Sequence, residues 1–330
     1  YLYLMSKPKV VITGINGNIG SWLGKLLLKE GKFSIRGTVK GLNDTEAASL
    51  KKAYGDQINQ IELVDAELSN EKSLFDAVKD CTYVFHIASP LPAMEPKDPN
   101  EVILPAVNGA TSMVKASLAA GVKKMIYTGS IAAIHSYDNK PEIDERNFAT
   151  VDQAISAYCK SKILAEKAVW ELHEKNKGKM DIVSLNPSLV FGPPLTNNPY
   201  HVGSLVRVML MGEIPEVPNV NMNLVDVRDV AQAYINALSK GKDGNRYLIG
   251  NELKSLSEVG EMLKEDWGKY GYNVTTKAST KFEDFSLKQN AKNDKSIREL
   301  DMSYRSTRET LNETVEALIK NGTIPDKRNI

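Results

Sequence analysis

Tyr158 and Lys162 stand four residues apart in Tyr158-Cys159-Lys160-Ser161-Lys162, a spacing that puts phenol and ammonium on one face of a helix. A free tyrosine, with a pKa of about 10, holds its proton too tightly for acid–base work at neutral pH, and a neighbouring cation stabilises the phenolate and lowers that value. The pair can therefore pass a proton. The same face continues through Ala165, Val169 and Leu172, so a lysine interrupts an apolar stripe. Burying its ammonium without a partner is expensive, and some polar ligand must meet it there.

A second chemical signal lies near the N-terminus, in Thr13-Gly14-Ile15-Asn16-Gly17-Asn18-Ile19-Gly20. Glycines at this spacing, between a strand and a helix, permit a tight turn and close approach of backbone to a pyrophosphate, which the helix N-terminus then holds. Gly14, Asn16, Gly17, Asn18 and Ile19 are the candidate contacts. Lys162 would then donate to the ribose hydroxyls of a nicotinamide dinucleotide. Ser130, at the end of Tyr127-Thr128-Gly129-Ser130, is placed to hydrogen-bond a carbonyl oxygen as hydride arrives at its carbon. The second strand ends Ile35-Arg36-Gly37-Thr38-Val39-Lys40 with no carboxylate to receive ribose hydroxyls. Lys40, helped by Arg36, would instead pair with a 2′-phosphate, which favours NADP(H).

The elements that must position these groups alternate. Strands are expected at Lys9 to Thr13, Ser34 to Val39, Gln60 to Asp65, Tyr83 to Ala88, Lys124 to Gly129 and Asp181 to Asn186. Helices are expected at Ile19 to Glu30, Glu71 to Val78, Pro105 to Ala120 and Ser156 to Asn176. Short β-branched runs separated by amphipathic stretches read as βαβ units. The expected class is α/β, a Rossmann-type doubly wound parallel sheet with a smaller, interleaved C-terminal substrate lobe. Residues 8–187, joined by roughly 223–250, would form the nucleotide domain, and 188–222 with 251–330 the substrate lobe. The final helix, Thr307 to Lys320, opens on the capping pattern Ser306-Thr307-Arg308-Glu309.

Composition narrows the function. With 42 Lys plus Arg against 41 Asp plus Glu in 330 residues, no broad basic surface exists for nucleic acid. No run of 18 apolar residues suggests a membrane span, and Tyr1 to Leu4 lacks the features of a secretory signal, reading as an added remnant or frayed start. Cys81 and Cys159 match no metal or disulfide pattern, and four scattered histidines match none either. Metal chemistry is not expected. A reducing, cytoplasmic setting and a monomer or homodimer are.

The chain resembles the extended branch of the short-chain dehydrogenase/reductase superfamily, and within it the dihydroflavonol reductase-like group. The likeness rests on TGINGNIG at Thr13, TVK at Thr38, CTYVFHIASP at Cys81, PAVNGATSMVKA at Pro105, YTGS at Tyr127, YCKSKILAEKAVW at Tyr158, NPSLVFGPP at Asn186 and VDVRDVA at Val225. That resemblance implies a catalytic triad of Ser130, Tyr158 and Lys162, with Lys40 on the 2′-phosphate. It further implies cofactor contacts at Asp65, Ala66, Glu67, Ala88 and Pro187, and an asparagine, Asn108, supporting the active site. Glu67 stands where the family usually has aspartate, Asn18 where it has an aromatic residue, and Gly129 where it has a serine. His86 reads as a packed strand residue.

Substrate contacts are expected from Pro90 to Met94, Ile131 to Tyr137 and Ser188 to Val206, with Leu91, Ile131 and Tyr200 the named candidates. The leading expectation is NADPH-dependent reduction of an aldehyde or ketone. Two rivals stand beside it, a nucleotide-sugar epimerase or dehydratase, which shares the fold, and, from a different class, a non-catalytic NADP-sensing regulator. A CoA-ester reductase is disfavoured, because the N-W-Y-C-Y-G-K segment of cinnamoyl-CoA reductases is here Ile155-Ser156-Ala157-Tyr158-Cys159-Lys160-Ser161-Lys162.

Overall fold

A computed structural model of the chain describes residues 7–92, 94–135, 141–196, 203–280 and 289–328. Tyr1 to Leu4, Tyr137 and the expected substrate residue Tyr200 lie outside the described residues. The chain opens with β1 (Lys9–Thr13), α1 (Asn18–Glu30), β2 (Ser34–Val39), α2 (Asp44–Tyr54), β3 (Ile61–Asp65), α3 (Glu71–Val78) and β4 (Tyr83–His86). It continues through α4 (Asn100–Ala119), β5 (Lys124–Thr128), β6 (Glu142–Ile143), α5 (Ala157–Lys175) and β7 (Asp181–Pro187).

Val10 and Ile12 of β1 face one side of the sheet and Val11 the other, all fully buried, because successive side chains of a strand alternate. The first side packs Leu23 and Leu27 of α1 with Val230 and Tyr234, and the second packs Met113 and Val114 of α4 with Val169 of α5. The main sheet has seven strands. Its order is β10-β7-β5-β4-β1-β2-β3, where β10 is Asn245–Ile249, and every pairing is parallel. Strand order reverses between β1 and β4, which opens a crevice at their C-terminal ends.

The smaller lobe is built from β8 (Leu189–Phe191), α6 (Gly203–Met211), β9 (Asn221–Asp226), β11 (Leu253–Ser255), α8 (Leu256–Trp267) and α10 (Thr307–Lys320). Its core gathers Phe191, Val206, Leu263, Trp267, Leu311 and Val315. Between these, α7 (Val227–Lys240) and β10 return to the first lobe, as does α9 (Asp294–Leu300), while β12 (Asn290–Ala291) pairs with β6. The lobes are thus interleaved, but the return begins at Val227, after β9 has paired with β8 and β11 in a separate three-stranded sheet. Leu300 and Met302 also join the first-lobe core, although the sequence places all of 251–330 in the substrate lobe.

Among α1 to α5, two helices differ from expectation. α4 starts at Asn100, one turn before Pro105, because Asp98 Oδ1 accepts the Asn100 N–H at 2.9 Å and fixes an earlier start. It is the one described helix long and apolar enough to cross a membrane, yet 50% of that stretch is buried inside this fold. α2 is absent from the expected elements, although Asn43 accepts the Glu46 N–H as its N-cap.

Arg36 does not reach the cofactor end of β2. Its Nη1 donates to the carbonyls of Ala77 at 2.9 Å and Lys79 at 2.8 Å, and Nη2 donates to Glu62 at 2.8 Å. The side chain projects from mid-strand toward the end of α3, so it braces the sheet and is removed from the 2′-phosphate set. Arg36→Met should therefore lower unfolding free energy by about 2–3 kcal/mol in urea titrations, the cost of charged hydrogen bonds lost with buried acceptors left behind. The ratio of catalytic efficiencies with NADPH and NADH should not change.

Candidate active site

Gly14 adopts φ +70°, and a Cβ on Gly20 would stand 2.3 Å from the Gly14 carbonyl oxygen, so neither position accepts a side chain. This tight loop delivers α1 with Gly17 as an N-cap that offers no side-chain hydrogen bond and with no acid in the first turn. The helix N–H groups and positive dipole end therefore face the crevice uncompensated. Asn18 Oδ1 is buried there without a partner. A bound pyrophosphate and its ribose fit this donor-rich, under-satisfied end.

Thr13 Oγ1 accepts the N–H groups of Ile87 and Ala88, each at 2.9 Å, and so ties the ends of β1 and β4 together. Ala88 consequently borders the glycine loop, 3.4 Å from where a Gly14 Cβ would stand. Asn16 donates to Glu46 at 2.9 Å, while its carbonyl accepts from Thr196 at 2.9 Å, which draws the segment after β8 over the loop. Ile19 packs on the first-lobe core.

At the end of β2, Lys40 Nζ lies 2.6 Å from Glu67 and remains largely exposed. The ammonium holds the Glu67 carboxyl below the usual carboxylate range. Asp65 Oδ1 accepts the Gly41 N–H at 2.8 Å and Ala66 N–H donates to Val39, so both shape the turn that presents Lys40. Pro187 is buried at the end of β7. Asn108 is turned away from the active site: its side chain is exposed and lines a surface hollow with Leu68 and Ser69.

Ser130 follows β5 in extended conformation, and its Oγ accepts the Ala132 N–H at 3.1 Å, capping a short 3-10 turn over Ile131–Ala133. That acceptance leaves its proton for donation, and the hydroxyl is hydrogen-bonded to Tyr158 in the first turn of α5. One turn on, buried Lys162 lies 3.4 Å from the Thr128 carbonyl, with its Nζ 5.8 Å from the Tyr158 ring centroid. The structure brings these three side chains together.

Burial decides their charge states. It pushes Tyr158 up to about 12, against the Ser130 hydrogen bond, and pushes Lys162 down to about 8, against the attraction of Glu166. The expected lowering of Tyr158 by Lys162 is not met, since removing the phenolate from water outweighs the available compensation. The Tyr158 phenol keeps its proton at neutral pH. His86 is driven down to about 3 by burial, with repulsion from Lys162 adding to it, and sits neutral with Nδ1 3.1 Å from Thr13 Oγ1.

Sequence reasoning missed the groups beneath the triad. Glu166 occupies the next position of the Tyr158–Lys162 row, and its carboxylate accepts from Arg246 Nε at 2.8 Å and Asn186 Nδ2 at 2.8 Å. The i, i+4 spacing of a carboxylate from Lys162 was the available signal. Gly129 has no room for the family's serine, because a Cβ would stand 2.4 Å from Asn186 Nδ2. Ile131, next to Ser130, is buried with Ile134, Ile143 and Leu248. Leu91 is 55% exposed on a segment anchored by Glu95, which accepts the Ala157 N–H at 2.7 Å. Met94 and Ile155 add exposed apolar surface beside it.

Fold and site together define a dinucleotide-dependent oxidoreductase of the extended short-chain dehydrogenase/reductase type. The NAD dependent epimerase/dehydratase family matches residues 10–250, and the chain belongs to it. It is 34% identical over 321 residues to cinnamoyl-CoA reductase 1 of Arabidopsis thaliana, covering 95% of this chain and 90% of that protein. It is 30% identical over 284 residues to the bifunctional dihydroflavonol 4-reductase/flavanone 4-reductase of Malus domestica, covering 81% and 78%. The structure of yeast methylglyoxal/isovaleraldehyde reductase complexed with NADPH superposes with a TM-score of 0.82 at 26% identity, covering 96% of this chain and 100% of that one.

Since Tyr158 keeps its proton to about 12, the alkaline limb of kcat/KM for carbonyl reduction should report Lys162. The protonated ammonium is the active form, so kcat/KM should be level below about 8 and fall as pH rises through it. Lys162→Arg should move the limb upward in initial-rate profiles.

Proposed function

We propose that the chain reduces an aldehyde or ketone to the alcohol with NADPH, Tyr158 donating the proton. The observation that carries this reading is the Ser130–Tyr158 hydrogen bond set over buried Lys162, at the sheet edge that also holds the uncapped glycine-loop helix. NADPH, when bound, supplies the hydride. Ser130 donates to the substrate oxygen and offsets the charge that develops there. Tyr158 delivers its proton to that oxygen, and the Lys162 ammonium stabilises the phenolate left behind.

Lys40 is the group offered to the 2′-phosphate, and the NADPH-bound yeast reductase supports that choice of cofactor. Leu91, Met94 and Ile155 are exposed apolar side chains, and bordering the crevice they would suit a small apolar or aromatic carbonyl compound better than a sugar nucleotide. The names of the cinnamoyl-CoA reductases favour a second reading, reduction of an aromatic CoA thioester. The segment around Tyr158 lacks the motif associated with that substrate.

Tyr158→Phe should cut kcat by at least about 100-fold, the usual scale of a general acid, while fluorescence titration still shows NADPH binding. Near-normal turnover would overturn the proton-donor role. Lys40→Asp should shift the NADPH/NADH ratio of kcat/KM toward NADH by about 10- to 100-fold, the worth of a charge-assisted contact replaced by repulsion. A screen of small aldehydes, diketones, aromatic aldehydes, flavonoid ketones and cinnamoyl-CoA, followed by NADPH oxidation, separates the substrate classes.

A further inference from the structure

Glu166 and Arg246 are both almost fully buried, on α5 and on β10 at the edge of the main sheet. Every nitrogen of the guanidinium is engaged. Nε and Nη2 donate to Glu166 at 2.8 and 3.3 Å, Nη2 also to the Ala133 carbonyl at 3.0 Å, and Nη1 to the carbonyls of Glu145 at 3.1 Å and Asn147 at 2.7 Å. All three carbonyls belong to the stretch that follows Ser130. On the other side, Glu166 Oε2 accepts from Asn186, whose same Nδ2 donates to the Ser130 carbonyl at 3.1 Å.

We propose that Glu166 and Arg246 are positioning residues for catalysis. Their pair holds the backbone of Ser130, through Asn186, and of Ala133, directly, at a fixed distance from the helix that carries Tyr158 and Lys162. A rigid α5 transmits the constraint, because Glu166 lies one turn from Lys162 and two from Tyr158. A single carboxylate thereby sets the approach of Ser130 to the phenol without touching substrate. It also faces the Lys162 ammonium, whose other neighbours are Tyr158 on its own helix, His86 from β4 and the Thr128 carbonyl from β5. This inference rests on the reading of Tyr158 as proton donor.

The test compares three variants with Tyr158→Phe run alongside. The double variant Glu166→Leu/Arg246→Met removes both charges at once, and Asn186→Ala cuts the link to Ser130 while leaving the ion pair intact. Both should lower kcat at least 10-fold while the NADPH dissociation constant stays within twofold. Glu166→Gln, which keeps an acceptor for Asn186, should retain more of kcat than the double variant but start its alkaline limb at lower pH. A folded double variant with kcat within twofold of the parent and an unmoved limb would overturn the proposal. Should the double variant fail to fold, Asn186→Ala decides, and an unchanged kcat there overturns it equally. An inactive Tyr158→Phe beside a fully active Asn186→Ala sinks the positioning role alone, whereas turnover surviving in Tyr158→Phe sinks the parent reading.

Discussion

A carboxylate and a guanidinium withdrawn from water lie where α5, the ends of β7 and β10 and the stretch after β5 meet. Removing two ions from solvent is costly, and their attraction repays that cost only when geometry is close and the remaining donors are satisfied. Here Arg246 spends its other N–H groups on three backbone carbonyls and holds its Cζ 4.2 Å from the Phe148 ring centroid. Breaking one side of such a pair typically costs about 3–5 kcal/mol, because the survivor is left charged and buried. Arg246 and Glu145, which accepts the Leu248 N–H, also pin Ala133 and residues 145–147 beside β10, an edge strand of the main sheet.

The same dry interior governs the acid–base groups. A phenol and an ammonium enclosed together are both pushed toward their neutral forms, so Tyr158 rises and Lys162 falls. At neutral pH the phenol thus keeps its proton while the ammonium stays charged. Glu166 opposes the loss of that charge. His86, without such a partner, is neutral and serves to join the ends of β1 and β5 through Thr13 and Thr128.

The crevice itself follows from strand order. Parallel strands on either side of the β1/β4 reversal send their following loops in opposite directions, which exposes the N-terminus of α1. Thr13 then clamps the two strand ends, and the segment after β8 closes over the loop through Thr196 and through Pro193, whose carbonyl accepts from Trp22 at 2.8 Å. Two lobes whose chains interleave are suited to form such a roof, because elements from both converge on one sheet edge.

Strands β1 and β2 and helices α3 and α10 lie where local pattern puts them, since alternation, capping residues and C-terminal glycines are properties of a few neighbouring residues. The glycine loop, Lys40 after β2, Ser130 after β5 and the Tyr158–Lys162 row were legible for the same reason: each is a short motif tied to one element. Arg36 was misread because a strand's sequence does not say which neighbour its side chain meets, and here the end of α3 offered carbonyls. Asn108 faces outward on similar grounds. The charge states of Tyr158 and Lys162, the reason Gly129 carries no side chain, and the assembly of Glu166, Asn186 and Arg246 depend on groups up to 80 residues apart. Sequence by itself determined which chemistry the chain carries, because that is written in residue types at short spacing. Tertiary structure alone decided how that chemistry is held and charged, because burial and long-range contact exist only once the sheet has formed.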